Sequence, residues 1–213
     1  MSTVLVTGTA TEVGKTWWGR TTIDVLRAAG VPVAARKPAQ SYSPDELGAT
    51  DAEVLAHASG EPAETVCPRH RWYPVAMAPP MAADVLGLPT FTIADLVAEL
   101  LPPADPSTVT VVEGAGGPRS PLALDGDTVS LGAAIGADTI VLVAPAGLGT
   151  INAVRLATAA LRADGPAGAR VLVALNRYDA DDDLHRRNHG WLAGEHHHLV
   201  TTPAELAAEL RRG

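Results

Sequence analysis

Gly8-Thr9-Ala10-Thr11-Glu12-Val13-Gly14-Lys15-Thr16 stands between a short β-branched run, Thr3-Val4-Leu5-Val6-Thr7, and a helical stretch, 17–29, that closes near Gly30. A buried strand, a glycine-bearing turn and Gly-Lys-Thr opening a helix form the context a phosphate-binding loop requires. Backbone N–H groups at the turn and helix start converge on an anion, and the helix dipole adds partial positive charge. In that reading Lys15 bridges the outer phosphates and the Thr16 hydroxyl ligates Mg²⁺. The spacing departs from the strict pattern, which sets four residues between its first glycine and Gly-Lys-Thr. Here Gly8 comes one residue early and Thr9 holds the usual place. The alternative is an ordinary strand-to-helix turn with a surface lysine.

Downstream, apolar strands and helical stretches alternate. Residues 31–35 read as a second strand, closed by Arg36-Lys37-Pro38 because proline cannot continue a central strand. Residues 40–48 form a polar loop, and 50–58 a helix with Thr50 as N-cap. The stretch 61–80 is rich in proline and aromatics, lacks periodicity, and reads as a surface lobe or lid. A helix is expected over 92–101 and a strand over 109–112, ending in Glu113-Gly114-Ala115-Gly116-Gly117. A short helix follows at 130–135. Residues 139–143 are a strand, and Gly147-Leu148-Gly149-Thr150 opens a helix over 151–163. Residues 170–175 read as the last core strand, with Asn176-Arg177 at its end. Residues 179–183 read as an acidic loop, and 204–211 as a closing helix.

This alternation predicts a single α/β domain over 1–213, of the P-loop NTPase type, with a mostly parallel sheet and helices on both faces. In such sheets ligands bind beyond the carboxyl ends of the strands. The phosphate loop, Lys37, Glu113, the 147–150 turn and Asn176 all fall at such ends.

The chain of 213 residues suits one domain. It is 46% hydrophobic but 4% aromatic, so Ala, Val and Leu must fill the core. The net charge of −8 gives no general attraction for nucleic acid or an anionic membrane, so an anionic ligand needs a local device to hold it. A single cysteine, Cys67, excludes an internal disulfide and fits a reducing cytoplasm. No signal core is evident, and no apolar run reaches the roughly 18–20 residues of a membrane span. A cytoplasmic protein without nucleic-acid or membrane partners is expected.

Glu113 directly follows an apolar strand, as a metal-side acid does in phosphate-loop enzymes. Thr16, Asp51 and Glu113 offer three hard oxygens of the kind Mg²⁺ takes. Each has a plainer reading: Glu113 as a solvated strand-end carboxylate, Asp51 as a first-turn acid favoured by the helix dipole. Taken alone, Lys37 reads as an exposed strand-end charge and Ser41 as an ordinary loop serine. His196-His197-His198 reads as solvated, because adjacent histidines do not share a helix face. Cys67 has no catalytic frame and reads as buried or incidental.

Taken together, these motifs resemble the dethiobiotin synthetase family. The 8–16 loop matches that family's own variant, early glycine included. Lys37-Pro38 with Ser41, Asp51, Glu113-Gly114-Ala115-Gly116-Gly117, Gly147-Leu148-Gly149-Thr150-Ile151-Asn152 and Asn176 recur in the family's order. The resemblance implies ATP-dependent closure of a ureido ring on 7,8-diaminononanoate with CO₂, in biotin biosynthesis, with ATP as co-substrate and Mg²⁺ as cofactor. A carbamate and a carbamic-phosphoric anhydride are the implied intermediates. Lys15 and Lys37 are the implied catalytic cations. Nucleotide contacts are implied for Glu12, Val13, Gly14, Lys15, Thr16, Trp17, Asp51, Glu113, Gly114, Ala115, Gly116 and Asn176, the last at the base. Substrate contacts are implied for Thr11, Lys37, Ser41, Gly149, Thr150 and Asn152, and Mg²⁺ ligation for Thr16, Asp51 and Glu113. Because the 147–152 loop reaches a neighbouring subunit in the family, a homodimer is implied. Residues 77–82 depart from the family pattern, as do the large Trp17-Trp18 pair and the tail past Asn176.

Two other enzyme or switch classes share a phosphate loop. A glutamine-dependent phosphate-loop synthetase needs a glutaminase domain for which this chain is too short. A switch or positioning ATPase acting through protein partners commonly carries an extra lysine early in its phosphate loop, and here none precedes Lys15.

Overall fold

β1 (Ser2–Gly8) leads through the glycine loop into α1 (Lys15–Ala28) and then β2 (Val33–Arg36). This computed structural model describes every residue except Met1, Glu46, Leu101, Ala104 and Gly213. A lobe follows, made of β3 (Gln40–Ser41), α2 (Asp51–Ser59), α3 (Ala63–Val66), β4 (Trp72–Tyr73), α4 (Pro79–Val85) and α5 (Ile93–Glu99). The chain rejoins the sheet at β5 (Val109–Glu113). The small hairpin β6 (Pro121–Ala123) and β7 (Gly126–Asp127) then leads through α6 (Thr128–Ala134) to β8 (Thr139–Pro145). The remainder is α7 (Thr150–Asp164), β9 (Arg170–Asn176), α8 (Asp183–Gly194), β10 (His198–Val200) and α9 (Pro203–Arg212).

Six strands form one parallel sheet in the order β10-β9-β8-β1-β5-β2. Successive strand residues point to opposite faces, so the apolar runs supply two cores. Leu5, Leu142 and Val173 join Leu96 of α5, Leu131 of α6 and Leu161 of α7 on one side. Val6, Val141 and Val143 join Trp18 and Ile23 of α1, Leu55 of α2 and Leu206 of α9 on the other. The α/β class with helices on both faces is therefore as expected. β2 is an edge strand, where Pro38 does no harm to the ladder.

Thr50 does cap α2: its hydroxyl accepts from Glu53 N, and the Glu53 carboxylate accepts from Thr50 N in return. The helix expected over 92–101 ends at Glu99, and its expected last residue, Leu101, lies outside the described residues.

Three expectations are corrected. β9 is not the last core strand, because β10 pairs beyond it; three residues among histidines carry too little apolar signal to be read. The stretch 61–80 is not a free surface lobe, since Val66, Cys67 and Tyr73 are fully buried there. It is tied down by Arg71, which forks onto Glu99 at 2.8 and 2.7 Å and lies 4.2 Å over the Phe91 ring. The histidine run is not uniformly solvated: the His197 side chain is 6% exposed.

Burial pushes the Cys67 thiol up to about 12. Roughly one thiol in ten thousand is then ionised at pH 8, and the thiolate is the reactive form. Iodoacetamide at pH 8 should therefore leave the folded chain unlabelled and label it fully in guanidinium, as read by mass spectrometry. Rapid labelling of the native protein would contradict this burial.

Candidate active site

The phosphate loop hangs from the end of β1. Thr9 N–H donates to Val143 O at 2.9 Å, which fixes the loop's first residue against the neighbouring strand. The early glycine has a steric reason: a Cβ at Gly8 would stand 2.5 Å from Val13 Cγ2 and 2.9 Å from Ala10 O. Gly14 caps α1 with φ +93°, a region that disfavours other residues. Glu12 also has positive φ, at 58°. The Lys15 ammonium reaches Ala10 O at 3.3 Å and is largely buried. Burial and the nearby Lys37 charge hold its pKa below the usual lysine value, with Glu113 and Asp51 opposing.

Thr16, Lys37, Asp51 and Glu113 meet beneath this loop. The Lys37 ammonium lies 2.7 Å from Asp51 Oδ2, 2.6 Å from Glu113 Oε1 and 3.3 Å from Gly114 O. Its three N–H groups thus face three acceptors. Lys37 is 2% exposed and Glu113 0%, so neither is the surface charge its sequence neighbours suggest. Burial alone would lower the Lys37 pKa, but Glu113 and Asp51 outweigh it and hold it above the usual range. The Lys37 charge is the chief cause holding Asp51 down at about 2. Burial pushes Glu113 up, against the pull of Lys37.

Thr16 Oγ1 lies 2.7 Å from Asp51 Oδ1 and 3.0 Å from Glu113 Oε1. One hydroxyl proton cannot serve both carboxylates, and Glu113 Oε2 is buried without a hydrogen-bond partner among the described residues. An excess of hard acceptors around one point suits a small divalent cation, so the residues present fit Mg²⁺.

A cleft of about 840 Å³ opens above this cluster. From the loop side, Thr11, Glu12, Gly14, Lys15, Thr16 and Trp17 line it. Lys37, Ser41 and Asp51 line it from the lobe side, and Ala115 and Gly116 from the strand β5 end. Ser41 Oγ donates to Met77 O at 2.5 Å. Gly114 sits just below, where a Cβ would meet Thr128 Cγ2 at 2.5 Å. Val13 turns its carbonyl to Asn176 instead. The cleft lining does not include Gly149, Thr150 or Asn152. Those three open α7, where Thr150 N–H donates to Gly147 O at 3.3 Å and Asn152 is exposed.

Gln40 and Ser120 also line the cleft, and nothing in the sequence marks either beyond its place beside Lys37-Pro38 or the glycine run. Gln40 is buried, and its Oε1 accepts from Ala52 N at 3.0 Å. Ser120 Oγ accepts from Gly117 N at 2.8 Å, and a Cβ at Gly116 would stand 2.4 Å from that oxygen.

The AAA domain profile matches residues 2–202. The ATP-dependent dethiobiotin synthetase BioD of Anaeromyxobacter dehalogenans is 40% identical over 186 residues, spanning 86% of this chain and 80% of that protein. Its namesake in Rhodococcus jostii is 39% identical over 175 residues, spanning 81% and 73%. That of Corynebacterium efficiens is 34% identical over 194 residues, spanning 90% and 84%. On this length and level of likeness the chain belongs to the dethiobiotin synthetase family.

Proposed function

We infer that the chain is an ATP-dependent dethiobiotin synthetase, a ligase of biotin biosynthesis. One observation carries the chemistry: Lys37, Asp51, Glu113 and Thr16 are gathered beneath a phosphate loop, at the sheet edge where two anions have to meet. One amine of 7,8-diaminononanoate takes up CO₂ and loses a proton to become a carbamate. A carbamate oxygen attacks the γ-phosphorus of ATP, and the bond to ADP breaks. The second amine attacks the carbonyl carbon of this anhydride, the ring closes, and phosphate leaves.

The catalytic task is to let a carbamate approach a triphosphate, and cations held in place do that. Lys15 gives up its long contact to Ala10 O for a phosphate oxygen. Lys37 reaches an oxyanion by exchanging its weakest contact, the one to Gly114 O, and keeps both salt bridges. Thr11 and Ser41 hydrogen-bond the carbamate. Glu12 to Trp17, with Gly114 to Gly116, follow the phosphates, and Asn176 stands near the base. Thr16, Asp51 and Glu113 hold Mg²⁺, which when bound neutralises charge on the outer phosphates.

The proposed assembly is a homodimer in which Gly149, Thr150 and Asn152 serve the partner's cleft. Its support is that they stand apart from the cleft of their own chain, beside a Leu148 that is 91% exposed. A cytoplasmic setting is proposed from the single, buried thiol.

The test is mass detection of dethiobiotin from the diamine, bicarbonate, Mg²⁺ and ATP, alongside ADP release with each component withheld. ADP release that depends on both diamine and bicarbonate is the expected result. ADP release at the same rate without them would overturn the ligase reading in favour of a switch ATPase.

A further inference from the structure

Asn176, the last residue of β9, joins two parts of the nucleotide site that are far away in sequence. Its Nδ2 donates to Val13 O at 2.9 Å, and its Oδ1 accepts from Trp18 Nε1 at 3.2 Å. The Trp18 indole cannot drift, since it is 1% exposed and packed in the core under α1. Trp18 N–H also donates to Gly14 O at 3.0 Å, closing the first helical turn. The amide of Asn176 is therefore oriented at both ends: one end faces a carbonyl, the other an N–H.

The consequence lies in the Val13–Gly14 peptide. In a trans peptide the carbonyl and the N–H point to opposite sides. Holding Val13 O toward Asn176 therefore turns the Gly14 N–H to the other side of that plane. Gly14 itself lines the cleft. An anion-binding loop depends on the direction of such N–H groups, which water would otherwise scramble.

We propose that Asn176, oriented by Trp18, is a positioning residue that holds the phosphate loop in its anion-receiving form before nucleotide arrives. The proposal rests on the reading of this loop as the nucleotide site. It is separate from any contact with the base. The carboxamide gives one N–H to the loop at Val13 O and one lone pair to the Trp18 indole of α1, and its effect is on the phosphates.

The two roles part company on a ligand that has no base. Calorimetry of Asn176→Ala and Trp18→Phe with Mg²⁺ and either ATP or inorganic tripolyphosphate separates them. Trp18→Phe keeps an aromatic ring in the core and removes the indole N–H, at the cost of some buried volume. Net loss of one or two hydrogen bonds predicts roughly threefold weaker binding for Trp18→Phe and roughly tenfold for Asn176→Ala. Each factor should be the same for ATP and tripolyphosphate, with faster amide exchange over residues 9–14 in both variants; the lost ring volume lowers the melting temperature of Trp18→Phe without favouring one ligand over the other. Loss of ATP affinity with tripolyphosphate affinity unchanged assigns Asn176 to the base and overturns the proposal. So does unchanged affinity for both. If the parent protein binds neither ligand, the nucleotide reading falls, and the relay falls with it.

Discussion

Lys37→Met is expected to lower dethiobiotin formation about a thousandfold, the scale seen when one preorganised charge-stabilising donor is removed, while ATP affinity changes little. The reason is the position of the ammonium, 2.7 Å from Asp51 and 2.6 Å from Glu113, and within one hydrogen-bond exchange of an incoming oxyanion. The same change has a second cost. Glu113 is 0% exposed, and without Lys37 its charge loses its directly bonded counter-ion, leaving only the more distant Lys15. Breaking a buried pair by removing one partner costs about 3–5 kcal/mol, or roughly 6–20 °C of melting temperature for a chain of this size. Two measurements separate the effects. In EDTA, Lys37→Met should melt well below the parent, and Mg²⁺ should recover part of the loss because it satisfies the same oxygens. Adding Glu113→Gln should recover stability without recovering turnover. Turnover of the Lys37→Met chain within tenfold of the parent would remove Lys37 from the mechanism.

The sheet was legible because its strands are short apolar runs ended by glycine, proline or charge, and burial on both faces demands such runs. The phosphate loop was legible because its geometry needs glycine at particular places. Lys37 was not legible as a residue of the interior. A lysine before proline at a strand end reads as solvated, and what buries it comes from Asp51 and Glu113, 14 and 76 residues further on. Asp51 shows how a local reading can be right and incomplete: it is a first-turn acid of α2, and it is also a counter-ion for Lys37. The resemblance to a family supplied what distance in sequence concealed. It did not supply the bond between Trp18 and Asn176, 158 residues apart, since the large pair Trp17-Trp18 departs from the family pattern. The tail was hardest to read. α8 buries only Asn188 and Leu192, so its helical period is faint, and β10 is too short to alternate.

Gly14→Ala is expected to weaken ATP binding by at least a hundredfold with the fold retained. Two costs coincide at this position. Backbone at φ +93° disfavours a side chain by roughly 1–2 kcal/mol. In addition, the new Cβ would stand 2.4 Å from Asn176 Nδ2. Asn176 has no easy retreat, because one end of its amide is bonded to Val13 O and the other to Trp18 Nε1. The loop must therefore give way, and the residues that move with it are Lys15 and Thr16, the first two of α1. Gly30→Ala is the control. That glycine has φ +78° and no atom of the described residues within 4 Å of an added Cβ, so it carries the backbone strain without the collision. Its variant should lose a little stability and bind ATP as the parent does. Calorimetry on both variants, with melting curves, gives the comparison. If Gly14→Ala binds ATP within tenfold of the parent, the close approach of Asn176 to the loop does not govern the nucleotide site.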